Sequence, residues 1–157
     1  KAWAKKETVS IRSPASTRPW QHVLEPLSGY LLLGSLLAER KISNGEAYNF
    51  GPPAYQNYSV RALIDEMGKT WDNVKWTDDS QINMNLHEAA LLKLNCDKAL
   101  YDLNWTSTLN FEETVRMTIE WYKAFYEGSD GLMTDFTLSQ INEYSELAQQ
   151  RNLDWTN

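Results

Sequence analysis

A single cysteine, Cys96, stands in 157 residues, so no disulfide can close within the chain and no cluster of thiolates can hold a metal. That usage fits a reducing compartment, and the cytoplasm is the expected location. Only two histidines occur, His22 and His87, far apart and in no H-x-x-x-H or Cys/His spacing, which argues against a zinc site. Long apolar runs are missing as well. The longest, "GYLLLGSLLA" at 29–38, is too short to cross a bilayer, and no charged-then-apolar leader opens the chain, so no membrane partner is expected. There is no G-x-G-x-x-G, no G-x-x-x-x-G-K-[ST] and no G-x-S-x-G. Neither a self-sufficient nucleotide-binding core nor a hydrolase nucleophile turn is visible.

Positive charge is also scarce. Fifteen Lys and Arg against 21 Asp and Glu leave a formal charge of −6, and the basic residues are scattered, which excludes a general nucleic-acid surface. One small anionic ligand is still allowed, because one or two placed arginines suffice for it. With 42% apolar and 23% charged residues the composition is that of a folded domain and not of a disordered chain. The length fits one domain over 1–157. The chain begins at Lys1 inside what reads as structure, "KAWAKKETVSIRS", and the expectation is a piece of something longer.

Strands and helices alternate. Val9 and Ile11 alternate with polar residues in "ETVSIRS" (7–13), the period-two sign of a half-buried strand. "SPASTRP" (13–19) breaks it and leaves Arg18 in a loop. Pro26 fits a first helical turn, and the run through Glu39 reads as a largely buried helix. "EAYNFGPP" (46–53) reads as a short strand stopped by Gly51, Pro52 and Pro53. Ser59 as N-cap, then Val60, Leu63, Ile64 and Met67, then Gly68, spell a second helix. "NVKWTD" (73–78) reads as a strand, and "ALLKLNCDKALYDLNW" (90–105) as a short strand running into a short helix. The clearest helix is "NFEETVRMTIEWYKAFYEG", opened by the pair Asn110 and Glu113, with Phe111, Val115, Ile119, Tyr122 and Tyr126 on one face and Gly128 at its end. A last amphipathic stretch, Leu138 to Arg151, places Leu138, Ile141, Tyr144 and Ala148 on one side.

Two features are candidates for chemistry. Seven tryptophans and eight tyrosines offer faces for sugar stacking, although Trp121, Tyr122, Phe125 and Tyr126 sit at core-like spacing in one helix and read as packing. "RPWQHVLE" (18–25) gathers a guanidinium, an indole, an imidazole and a carboxylate ahead of the apolar helix. Arg18 is the side chain whose planar fork meets phosphate oxygens bidentately, and the helix N-terminus behind it favours an anion. A helix cap with an Arg18–Glu25 ion pair explains the same residues.

"IRSPASTRPWQHVLEPLSGYLLL" resembles the segment that follows the cofactor domain in CDP-glucose 4,6-dehydratases, within the extended short-chain dehydrogenase/reductase class. The likeness continues in order through "AYNFGP" (47–52), "HEAALLKLNCDKA" (87–99), "LNW" (103–105), "TIEWYKAF" (118–125) and "LSQINEY" (138–144). The R-x-W/Y-x-H-V pattern belongs to the wider class; "RPWQHVLEPLSGYL" with the later "HEA" points to the CDP-glucose branch.

The resemblance implies a small mixed α/β fold: the C-terminal substrate-binding domain of an extended short-chain dehydrogenase/reductase, with the Rossmann half absent. That N-terminal half would bind NAD and carry the catalytic residues, so none is expected in this chain, which alone would be inactive. The implied partners are CDP-glucose and the chain's own Rossmann half, within a homo-oligomeric parent. The implied substrate-binding residues are Arg18 on the diphosphate, Trp20 near the nucleotide, His22 on the same edge, and His87 and Glu88 in the other nucleotide-lining segment. The implied reaction oxidises the sugar at C4, eliminates water across C5 and C6, and returns the hydride to C6, as a step toward deoxysugars of lipopolysaccharide O-antigen. Ser13 stands where the resemblance expects Asn, and Asn95 where it expects Asp. The alternatives are another nucleotide-sugar epimerase, dehydratase or reductase, and a non-catalytic nucleotide-sugar binding module.

Overall fold

The computed structural model describes residues 1–81, 90–128 and 133–156. After a single 3-10 turn at Trp3–Lys5 the elements run β1 (Val9–Ile11), β2 (Thr17–Arg18), α1 (Leu24–Ala38), β3 (Tyr58–Ser59), α2 (Val60–Gly68), β4 (Trp76–Asp78), α3 (Asp97–Leu103), α4 (Phe111–Glu127) and α5 (Met133–Gln150), before a closing 3-10 turn at Asp154–Thr156. The fold is mixed α/β, as the resemblance implies at that coarse level. Among the described residues the strands form two small sheets. β1 pairs parallel with β4, in the register Val9↔Trp76 and Ile11↔Asp78. β2 pairs antiparallel with β3, Arg18 opposite Tyr58.

Side chains at the N-cap position start two of the helices. The Asn110 carboxamide accepts from Glu113 N at 2.8 Å while Asn110 N donates to the Glu113 carboxylate at 2.9 Å, a reciprocal cap that starts α4. Ser59 Oγ accepts from Ala62 N at 3.1 Å and starts α2. Asn104 ends α3 in the left-handed region, φ 52°, a conformation Asn tolerates because its short polar side chain can bond locally. Two apolar clusters lie between the helices. Phe50, Ala99, Leu103 and Trp105 pack with Leu32, Leu33 and Leu36 of α1. Leu109, Met117 and Tyr144 join α4 to α5, with Leu24 against them, and Trp155 touches both clusters.

Several expectations change. The stretch 46–53 is no strand: Pro52 and Pro53 bring no N–H to a ladder, and the chain instead sends Phe50 into the core. The strand expected ahead of α3 reduces to a lone bridge between Leu91 and Thr17. Arg18 belongs to a two-residue strand, too short for alternation to reveal.

The largest change concerns α1, which is not largely buried. Val23, Leu27, Tyr30, Leu31 and Leu37 are all exposed, Leu31 at 78%, because the α3 cluster covers only the opposite side of the helix. The outward ends of α4 and α5 behave likewise. Phe111, Val115, Ile119, Tyr144 and Ala148 are buried, whereas Tyr122, Phe125, Tyr126, Leu138 and Ile141 are exposed. The aromatic rings there stack on one another, Trp121 on Phe125 and Tyr122 on Tyr126.

Candidate functional site

The β2–β3 pair sets the position of the first candidate residues. Arg18 Nη1 donates to Thr17 O at 2.7 Å, which turns the guanidinium back along its own strand. Trp20 Nε1 donates to Tyr58 O at 2.9 Å, and the Tyr58 ring stacks on Phe111, centroids 3.7 Å apart and 8° from parallel. The short ribbon is thereby pinned to the first turn of α4. Trp20 is half-buried, with its one polar atom used in holding β3.

His22 is buried. Its Nδ1 accepts from Leu24 N at 3.3 Å, so the imidazole caps the start of α1, where an acceptor is needed. Burial disfavours the imidazolium and lowers the His22 pKa. Glu25, considered above as an ion-pair partner for Arg18, turns into the core. Its carboxylate accepts from Thr108 N at 3.1 and 2.9 Å, from Leu109 N at 2.6 Å and from the Tyr144 hydroxyl at 2.9 Å.

Arg18 faces a small hollow of about 10 Å³ that it shares with Pro52, Gln56, Asn57 and Lys93. The hollow opens beside a cleft of about 870 Å³, walled by Pro52, Gln56, Lys93, Asn95, Trp105 and Thr108 among others. Tyr55, 83% exposed, stands on the cleft's rim. Two cations of an acidic chain, Arg18 and Lys93, thus line one concave patch, with two carboxamides between the "GPP" turn and β3. Lys93 Nζ donates to Ala54 O at 3.0 Å, which ties the segment before α3 to that turn.

Gln56, Asn57 and Lys93 were not among the candidates from sequence. Lys93 carried a signal, since it is the basic residue inside "LLKLN", but no periodicity marks which neighbours a lone Lys will meet. Asn95 spends its carboxamide locally: Oδ1 accepts from Asp97 N at 2.9 Å and Nδ2 donates to Asp97 Oδ2 at 3.1 Å. That arrangement organises the approach to α3 and needs no carboxylate at this position. His87 and Glu88 lie outside the described residues.

The chain is 37% identical over 139 residues to a curated CDP-glucose 4,6-dehydratase of Salmonella typhimurium (strain LT2). The match covers 88% of this chain and 38% of the relative, so the chain spans less than two-fifths of that protein's length. No protein-family model matches the sequence. The likeness to the CDP-glucose branch seen in "RPWQHVLEPLSGYL" is therefore a likeness of almost the whole chain.

Proposed function

We propose that this chain is the substrate-binding part of an NAD-dependent CDP-glucose 4,6-dehydratase, which converts CDP-glucose to its 4-dehydro-6-deoxy product and water. The observation that carries the reading is the 37% identity over 88% of the chain to the Salmonella enzyme of that name. The patch formed by Arg18 and Lys93 supports it, because a sugar nucleotide presents a diphosphate and a guanidinium meets phosphate oxygens with paired charge-assisted bonds. Each such bond contributes about 1.5–3 kcal/mol where solvent is excluded.

The residues present do not fit NAD. The sequence has no glycine-rich strand-to-helix turn, and among the described residues the parallel pairing of named strands is limited to β1 with β4. The dinucleotide and the reacting groups belong, on this reading, to a separate Rossmann half. The role of this chain is binding and orientation: Arg18 and Lys93 hold the diphosphate, the adjoining cleft takes the nucleoside, and the glucose is held toward the half that performs the chemistry.

The exposed stripe of α1 supports a covering partner. Leu27, Tyr30 and Leu31, with Val23 just ahead of the first turn, expose apolar side chains along one line of the helix, the kind of contiguous patch that marks an interaction surface, and the occupant on this reading is the Rossmann half.

The test is to express the complete open reading frame that contains this chain, supply NAD with CDP-, UDP-, dTDP- and GDP-glucose separately, and follow loss of water by mass spectrometry. Dehydration of CDP-glucose alone is expected, with Arg18→Ala weakening its binding. Turnover of a different nucleotide sugar, or of none by folded protein with intact NAD, rejects the assignment.

A further inference from the structure

Glu25 is 1% exposed, and each group that donates to its carboxylate is neutral. Thr108 N and Leu109 N come from the linker between α3 and α4, and the hydroxyl comes from Tyr144 of α5. A second layer locks the same corner. Ser28 Oγ donates to Glu25 O at 2.8 Å and accepts from Trp105 Nε1 at 3.0 Å, and the Tyr144 oxygen lies 3.0 Å from it. Arg151, whose charge acts on the Glu25 carboxylate through space, donates to Thr108 O and the Glu113 carboxylate instead.

A charge-bearing side chain in the core with only neutral donors is costly unless every lone pair is met. An apolar residue at this position could fill the same space, but it would leave the buried Thr108 N and Leu109 N without this acceptor. What the carboxylate adds is direction, since it accepts from two successive backbone N–H groups and so fixes the linker against the first turn of α1 to within a hydrogen bond. Both ends of that link bear on the concave patch. Glu25 N donates to His22 O at 3.0 Å, at the end of the lead-in that begins with Arg18. Thr108 and Leu109 form a wall of the large cleft.

We propose that Glu25 is a positioning residue: by clamping Thr108 and Leu109 to the start of α1, its carboxylate sets the spacing between the Arg18 lead-in and the cleft wall, and hence the fit of the nucleotide. This rests on the reading that Arg18 and the cleft bind a sugar nucleotide. Gln at position 25 keeps the shape but puts an NH2 where one carboxylate oxygen accepts, so one donor of the network loses its acceptor.

The test uses the complete open reading frame with NAD. Glu25→Gln is expected to raise the KM for CDP-glucose by about tenfold or more, with kcat changed about twofold at most and NAD affinity unchanged, because the lost fit is nucleotide binding that the ground state and the transition state share equally. Tyr144→Phe removes one donor and leaves the carboxylate; it is expected to raise KM in the same direction by less, and it carries the test alone should Glu25→Gln fail to fold. A Glu25→Gln or, in that event, Tyr144→Phe protein that melts lower yet keeps the wild-type KM gives Glu25 a stabilising role only and overturns the proposal. Wild-type protein that binds no CDP-glucose overturns the underlying reading and this inference with it, so the two failures are separable.

Discussion

Gly29 of α1 lies against the face of Phe50: a Cβ built on Gly29 would stand 2.3 Å from Phe50 Cδ1 and 2.6 Å from Cγ. No side chain fits there without displacing a ring that is itself packed edge-on to Trp105, at 4.9 Å. The glycine is therefore what lets the "AYNFGP" segment lie directly on the helix.

Gly29→Ala is accordingly expected to destabilise the fold by about 1–3 kcal/mol, the range for overpacking a filled core. Helix propensity alone predicts the opposite sign, a gain of about 1 kcal/mol for Ala over Gly in a helix interior. Urea midpoints for the two proteins decide between them. Phe50→Leu in the Gly29→Ala background should recover part of the loss if the ring contact is its cause.

Asn110 and Glu113 bond reciprocally, and Glu113 also receives Arg151 at 2.6 and 3.0 Å. Asn110→Ala should cost about 1 kcal/mol, a typical loss for an N-cap oxygen, whereas Asn110→Asp keeps the acceptor and should be nearly neutral. Thermal melts of the two variants check the contrast. Equal destabilisation by both would mean that the carboxamide acts through something other than the cap.

This cap was fully legible in the sequence, as was Ser59 ahead of α2, because capping depends on residues three apart in the chain. The parallel pairing of Val9 with Trp76 and the pairing of Arg18 with Tyr58 were not, since each strand is two or three residues long and its register is set by distant packing. The outward stripe of α1 escaped for a different reason. A helix apolar nearly all round reads as buried, and sequence does not say which of its sides the same chain will cover. Arg18 stood out by residue type, but that Lys93 and Gln56 share its hollow depends on how the 51–58 and 90–95 segments meet. The roles of Glu25 and Tyr144 were hidden for the same reason: 119 positions separate them.

His22 provides a pH signature. Its folded-state pKa is lowered from the ordinary 6.5 by burial, so the unfolded chain takes up the proton first as pH falls. The stability this group contributes is complete above pH 6.5 and is lost as pH drops from there through the folded-state value. The slope for one proton cannot exceed about 1.4 kcal/mol per pH unit. Melting temperatures taken from pH 8 down to 5 should therefore fall more steeply for the native protein than for His22→Gln, which has nothing to titrate at this position. Parallel curves would show that the imidazole takes up its proton without cost in the folded state.

Leu31 tests the covering of α1. The residue is 78% exposed, so Leu31→Lys in this chain alone should shift stability by no more than about 0.5 kcal/mol, as surface substitutions do. If the stripe is covered by a Rossmann half, the same change in the complete protein places an ammonium in an apolar seam, where an unpaired charge costs several kcal/mol or forces the two halves apart. Chemical denaturation of both lengths, native and Leu31→Lys, reads out the difference directly. A loss confined to the longer protein identifies the stripe as the seam between the halves. A small and equal effect at both lengths leaves α1 facing solvent in the complete protein too, and the covering of its aliphatic face by the other half is then wrong.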